Sequence, residues 1–164
     1  MFRIQKATVE EIPLIRELTF QVWPQTYAPI LSKEQIKYML EMMYSEAALQ
    51  QQMKEECQFL IVYENEEPVG FASYQEIQPS IFKLHKIYVL PSQQGKGTGR
   101  FLLDYILEEI KQNGAAALQL QVNRYNKARN FYEKLGFTVI EEADFDIGNG
   151  YFMNDYVMEK AIGN

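Results

Sequence analysis

The spacing of apolar positions changes period several times along the chain, and each change marks an element. Phe2–Ala7 alternates as a short strand. Thr8 follows as a helix N-cap, with Glu10 and Glu11 in the first turn of a helix that extends to about Val22. Pro24 and Pro29 then break the chain around Trp23 and Tyr27. Ser32-Lys33-Glu34-Gln35 has the pattern of a capping box, and Ile36, Met39, Leu40 and Met43 follow it at helical spacing. A further helical piece covers 46–55. Residues 58–63 and 68–76 read as two strands joined by a polar turn, and 81–90 as a third, closed by Pro91, which cannot donate to a sheet ladder. Residues 99–113 form an amphipathic helix with Leu103, Leu107 and Ile110 on one face and Gly114 as its C-terminal cap. A strand at 118–122 precedes a short helix that Asn126 caps, in which Phe131 and Leu135 share a face and which Gly136 ends. Residues 137–140 and 151–159 close the pattern as an antiparallel pair. The order gives an α/β fold with a mixed sheet, without the regular alternation of a doubly wound one.

A chain of 164 residues with no low-complexity linker reads as one domain, 1–164, with enough apolar surface to fold without metal or disulfide support. Its net charge of -6 sets the overall field against nucleic acid and anionic membranes as partners. One cysteine, Cys57, and one histidine, His85, cannot build a structural zinc set or a disulfide, so no metal is expected. Cys57 has no histidine partner in sequence, which argues against an acyl-cysteine route. A lone thiol, the absence of a signal-peptide pattern after Met1 and the lack of any bilayer-length apolar run lead to an expected cytoplasmic location.

The most informative chemistry lies between Tyr88 and Leu103. An apolar strand stops at Pro91, and Gln94-Gly95-Lys96-Gly97-Thr98-Gly99-Arg100 leads directly into a helix. A strand, a glycine loop and a helix N-terminus together present backbone N–H groups and a positive dipole end to an anion such as a phosphate. Two familiar phosphate loops are excluded by spacing. Lys96 is followed by Gly97 rather than by a hydroxyl residue that could hold magnesium, so the loop is not a Walker A motif. Arg100 stands where a dinucleotide fingerprint needs its third glycine.

The loop instead resembles the acetyl-CoA loop of the GCN5-related N-acetyltransferase (GNAT) family, Gln/Arg-x-x-Gly-x-Gly/Ala, which Gln94–Gly99 matches in full. A second block, Asn126-Lys127-Ala128-Arg129-Asn130-Phe131-Tyr132-Glu133-Lys134-Leu135-Gly136-Phe137, is similar to the family's Asn…Phe-Tyr-Glu-Lys-Leu-Gly-Phe segment, and the opening at 6–13 is similar to its usual start. The resemblance covers nearly the whole chain. It implies a mixed, mostly antiparallel sheet splayed between its central strands and flanked by helices, and acetyl-CoA as co-substrate. It assigns the diphosphate to Gln94, Gly95, Lys96, Gly97, Thr98, Gly99 and Arg100. It also lays the pantetheine arm against the strand ends at 87–90 and 120–123, where backbone N–H groups near Val89 and Leu90 polarise the thioester. Asn123 and Asn126 are further cofactor contacts on the same grounds.

Direct transfer to an amine needs a base, because an alkylammonium of pKa about 10 has no lone pair with which to attack. The family's small-amine members carry a glutamate four residues before the position of Val89, and this chain has His85 there, a group able to act as base near neutral pH. Tyr132 aligns with the family's tyrosine general acid, which protonates the departing thiolate. The acceptor region implied by the resemblance contains Trp23, Tyr27, Tyr38, Met42, Met43 and Tyr44, with 151–155 near the C-terminus, and Glu76 or Asp155 can pair with a second cationic group. The expected reaction is acetyl transfer to a primary amine of a small molecule such as a polyamine or amino acid. A peptide or protein amine, or an acyl-CoA-binding module with impaired catalysis, are the alternatives; a homodimer is left open.

Overall fold

The computed structural model describes residues 1–163, which form seven strands and five α-helices. In chain order these are β1 (Phe2–Ala7), α1 (Ile12–Tyr27), α2 (Lys33–Tyr44), α3 (Glu46–Lys54), β2 (Gln58–Glu64), β3 (Glu67–Gln78), β4 (Ile81–Val89), α4 (Thr98–Gln112), β5 (Ala117–Asn123), α5 (Ala128–Lys134), β6 (Thr138–Gly148) and β7 (Tyr151–Ala161). The strand order is β1-β2-β3-β4-β5-β7-β6. Pairing is antiparallel for β1/β2, β2/β3, β5/β7 and β6/β7, and parallel for β4/β5, so the sheet is mixed and mostly antiparallel. The chain gathers into two compact units, Met1–Gln75 with Lys86–Ile106, and Glu76–His85 with the chain from Leu107 onward.

In the first unit, α1 buries Ile12, Ile15, Leu18, Thr19, Val22 and Trp23, the stripe expected of a helix that covers a core on one side. Leu60, Ile61 and Val62 of β2 are buried in succession, as are Phe71, Ala72 and Ser73 of β3. Such unbroken burial marks interior strands covered on both faces. Thr8 forms a full capping box with Glu11, whose carboxylate accepts from the Thr8 N–H at 2.7 Å. It opens a short 3-10 turn, Val9–Glu11, from which α1 continues. Pro24 does not break the chain as its type suggests: α1 passes through it to Tyr27, and the Ala28 N–H closes onto the Pro24 carbonyl at 3.0 Å. Burial of Trp23, with the Tyr27 ring 4.5 Å from it, holds the turn that proline weakens.

In the second unit β4 and β5 alternate. Phe82 and Leu84 of β4, Leu118, Leu120 and Val122 of β5, and Met158 of β7 are buried, while the residues between them carry the polar side chains. Residue Ile110 of α4 and Phe137 after α5 join this core. Strand β6 extends well past the 137–140 expected from sequence and pairs with β7 from Thr138↔Glu159 to Gly148↔Tyr151. Its acidic run, Glu141-Glu142-Ala143-Asp144, conceals strand character, because an edge strand exposed along its length needs no apolar face.

Candidate functional site

The glycine loop is set by backbone conformation. Gly95 and Gly97 have φ of +79° and +80°, and a Cβ on either would meet nothing within 4 Å, so it is the left-handed geometry that selects glycine there. The first intrahelical hydrogen bond of α4 runs from the Phe101 N–H to the Gly97 carbonyl at 2.9 Å. The N–H groups of Thr98, Gly99 and Arg100 therefore lie in the first turn, where no helical carbonyl is available to them. This arrangement can hold an anion by main-chain donors alone.

The side chains of the loop are not all directed outward. Gln94 is exposed. Thr98, by contrast, is 1% exposed, and its hydroxyl donates to Gln93 Oε1 at 2.7 Å, which restricts Thr98 to a main-chain role toward any anion. The Lys96 ammonium is 3.4 Å from Glu64, and Arg100 pairs with Asp104 one helical turn on at 3.3 Å. The strand leading into the loop packs tightly against β3. The Leu90 N–H donates to the Val69 carbonyl at 2.8 Å, and a Cβ on Gly70 would lie 2.7 Å from the Tyr88 carbonyl oxygen. Since N–H groups along an extended strand point alternately to its two sides, that of Val89 faces away from the side Leu90 uses.

In the second unit, Tyr132 of α5 is 8% exposed and packs edge-on to Phe131 and Phe137, with ring centroids 5.4 and 5.7 Å away. Asn126 sits just ahead of α5, and its side-chain oxygen accepts from the Ala128 N–H at 2.9 Å, while Asn123 Oδ1 accepts from the Tyr125 N–H at the same distance. Both asparagines thus shape the turn between β5 and α5. His85 is half-buried on β4, and strand alternation places it on the face that carries Lys83. From Lys83 a polar chain crosses three strands: its ammonium donates to Gln121 Oε1, and Gln121 Nε2 donates to Asp155 Oδ2 at 3.2 Å. Asp155 is 3% exposed. Burial pushes its carboxyl above the ordinary carboxylate range, opposed by the Gln121 hydrogen bond and by the charges of Arg124 and Lys83. Burial also lowers the Lys83 ammonium, opposed by Asp155.

The aromatic positions of α1 and α2 divide by burial. Trp23 and Tyr44 are core, and burial holds the Tyr44 phenol well above its ordinary value. Tyr27 and Tyr88 are half-buried, and their hydroxyls hydrogen-bond to each other at 2.9 Å. Burial likewise pushes up the Cys57 thiol, which keeps it in the un-ionised, poorly nucleophilic form. Among the described residues no group of three or more His, Cys, Asp or Glu side chains could hold a metal ion, and no helix is long and apolar enough to cross a membrane.

Residues 27–159 match the acetyltransferase (GNAT) domain family. The chain belongs to that family. It is 28% identical to a spermidine N(1)-acetyltransferase of Thermoplasma acidophilum over 96% of this chain and 95% of that protein. It is 37% identical over 82 residues to the ribosomal protein bS18-alanine N-acetyltransferase of Haemophilus influenzae, a match spanning 50% of this chain and just over half, 56%, of that enzyme. Among solved structures, the PaiA N-acetyltransferase from Thermoplasma acidophilum in complex with coenzyme A superposes with a TM-score of 0.83 at 27% identity, over 98% of this chain and 99% of that one. The mixed sheet with its flanking helices is the GNAT fold, and acetyl-CoA is the co-substrate that goes with it.

Of the motif residues, Gln94–Gly99 span the β4–α4 turn and the start of α4, Asn126 precedes α5 and Tyr132 lies within it. Glu64, Gln93, Lys83 and Gln121 were not foreseen. Glu64 lies in a run of four polar residues at a hairpin, and Gln93 differs in no visible way from Gln94 beside it. Lys83 and Gln121 do carry a signal, since each is a polar residue flanked by apolar ones within a strand, but alternation cannot say that the two share hydrogen bonds.

Proposed function

We propose that the protein moves the acetyl group of acetyl-CoA directly to a primary amine of a small, cationic molecule of the polyamine or amino-acid type, and that residues 1–164 act as one catalytic domain. The observation that carries the cofactor half is the glycine loop: two left-handed glycines followed by a helix start with uncommitted N–H groups, in a sequence that matches the family motif. The acceptor half rests on likeness to the spermidine enzyme, which extends over 96% of the chain and so includes α1 and α2.

In this reading the main-chain donors of Thr98, Gly99 and Arg100 take the diphosphate, the Lys96 N–H being given to the Gln93 carbonyl at 3.2 Å, with the Lys96 and Arg100 side chains adding charge. The Val89 N–H is the donor to the thioester oxygen, because Leu90 gives its own to Val69. His85 accepts the proton that the acceptor ammonium must lose before its nitrogen can attack the carbonyl carbon. Tyr132 gives its phenolic proton to the sulfur as the carbon–sulfur bond breaks, leaving coenzyme A as the thiol, and the second proton shed by the new amide nitrogen restores the phenol. The half-buried Tyr27–Tyr88 pair offers ring faces and hydroxyls to an ammonium group. Cys57 takes no part, in keeping with its raised thiol.

A second reading, transfer to a protein N-terminus, draws on the 37% identity to the bS18-alanine enzyme. Thiol release measured with acetyl-CoA and a panel of spermidine, spermine, free amino acids and an alanine-terminated peptide separates the two. Turnover with the polyamines or amino acids supports the small-amine reading. Turnover with the peptide alone transfers the assignment to a protein acceptor, and binding of coenzyme A without turnover on any amine reduces the protein to a binding module.

A further inference from the structure

Behind the glycine loop runs a hydrogen-bonded chain that the reaction itself does not use. Thr98 Oγ1 donates to Gln93 Oε1 at 2.7 Å, Gln93 Nε2 donates to Glu64 Oε1 at 3.2 Å, and Lys96 Nζ reaches the same carboxylate oxygen at 3.4 Å. Gln93 and Thr98 are 5% and 1% exposed, so their polar atoms depend on one another and on Glu64 for partners. The sense of the chain is fixed. The Gln93 carbonyl is occupied by the Thr98 hydroxyl, which leaves its NH2 group facing Glu64, and a carboxylate can only accept from it.

The placement has a mechanical meaning. Gln93 and Thr98 are the two ends of the loop, and Glu64 is the last residue of β2, 29 positions earlier in the chain. The loop between those ends contains Gly95 and Gly97, the residue type with the widest choice of backbone conformations. Tying both ends to one amide, and that amide to a separate strand, removes most of that choice. With the Thr98 side chain turned inward, its N–H is left for the loop's outer side. A carboxylate 3.4 Å from Lys96 would otherwise be an odd neighbour for an anion site, since it repels what the loop is built to hold. The Gln93 hydrogen bond holds the Glu64 carboxyl below its ordinary range, opposed by burial and supported to a lesser degree by Lys96, which keeps it ionised.

We propose that Glu64 is a positioning residue for the diphosphate loop: through Gln93 and Thr98 it holds the loop in its anion-binding shape before cofactor arrives, and it retains Lys96 until the diphosphate takes that ammonium over. This rests on the assignment of the loop to acetyl-CoA made above. The test compares Glu64→Ala with Glu64→Gln, whose side-chain oxygen can still accept from Gln93. Two readouts are taken: KM for acetyl-CoA against kcat, and amide hydrogen exchange across 93–100 in the cofactor-free protein. Glu64→Ala should raise KM roughly tenfold with kcat within about twofold, and should speed exchange in the loop. Glu64→Gln should restore both to near the wild-type values. The proposal is overturned if Glu64→Ala leaves KM and exchange unchanged, or if Glu64→Gln behaves like Glu64→Ala, which would make Glu64 a charge partner of Lys96 and nothing more. A wild-type protein that neither binds coenzyme A nor turns over acetyl-CoA would instead refute the cofactor assignment, and the exchange comparison would then decide the latch alone.

Discussion

The acid role proposed for Tyr132 falls on a buried side chain. Its ring is held edge-on between Phe131 and Phe137, so removing only the hydroxyl leaves the packing in place. Tyr132→Phe should keep the melting temperature close to that of the wild type while kcat falls by a factor on the order of ten to a thousand. Steady-state thiol release at saturating acetyl-CoA measures this, and unchanged turnover would take the acid role from Tyr132. The residues legible from sequence were those tied to a backbone requirement, such as Gly95 and Gly97, whose φ is positive. Gln93 and Glu64 were not, because their importance comes from a contact across 29 positions that no local pattern encodes.

At the scale of elements, Thr8 and Ser32 cap as their sequence pattern suggests, whereas Asn126 stands one place ahead of Lys127, the N-cap of α5, which makes no side-chain cap bond. Ser32 accepts from the Gln35 N–H at 3.1 Å as the N-cap of α2, although the Gln35 side-chain amide is turned to Met39 Sδ at 3.8 Å. Ser45 ends α2 and begins α3 at once, and its hydroxyl accepts from the Ala48 N–H at 3.1 Å. Loss of that acceptor exposes the first turn of α3. Ser45→Ala should therefore lower unfolding stability by about 1 kcal/mol in urea titrations, with the slope unchanged. A variant as stable as the wild type would mean that α3 is held by packing alone. The elements misjudged from sequence were those where burial overrules local preference: α1, whose buried Trp23 carries the helix past Pro24, and β6, an edge strand whose acidic residues look like a loop.

For the molecule as a whole, the Lys83–Gln121–Asp155 chain ties stability to pH. A carboxyl whose folded-state pKa is raised binds its proton more tightly folded than unfolded, so Asp155 favours folding below the ordinary carboxylate range and loses that favour as pH rises through its raised value. Asp155→Asn removes the titration and still offers Gln121 an acceptor oxygen. In urea unfolding between about pH 4 and pH 7, the stability of this variant relative to the wild type should improve as pH increases. A gap that stays flat would mean that the buried charge is fully compensated by its partners. The direction is the reverse of the usual case, in which a carboxylate paired in the folded state favours folding as pH rises.

The close approach at Gly70 limits what this sheet can become. A single methyl group there would have to displace the Tyr88 carbonyl, 2.7 Å away, and with it the peptide that carries the Val89 N–H. For the thioester donor proposed at Val89, the placement of its N–H thus depends on an atom missing from the neighbouring strand. Evolutionary drift at position 70 could extinguish activity while every side chain with a chemical role stayed intact.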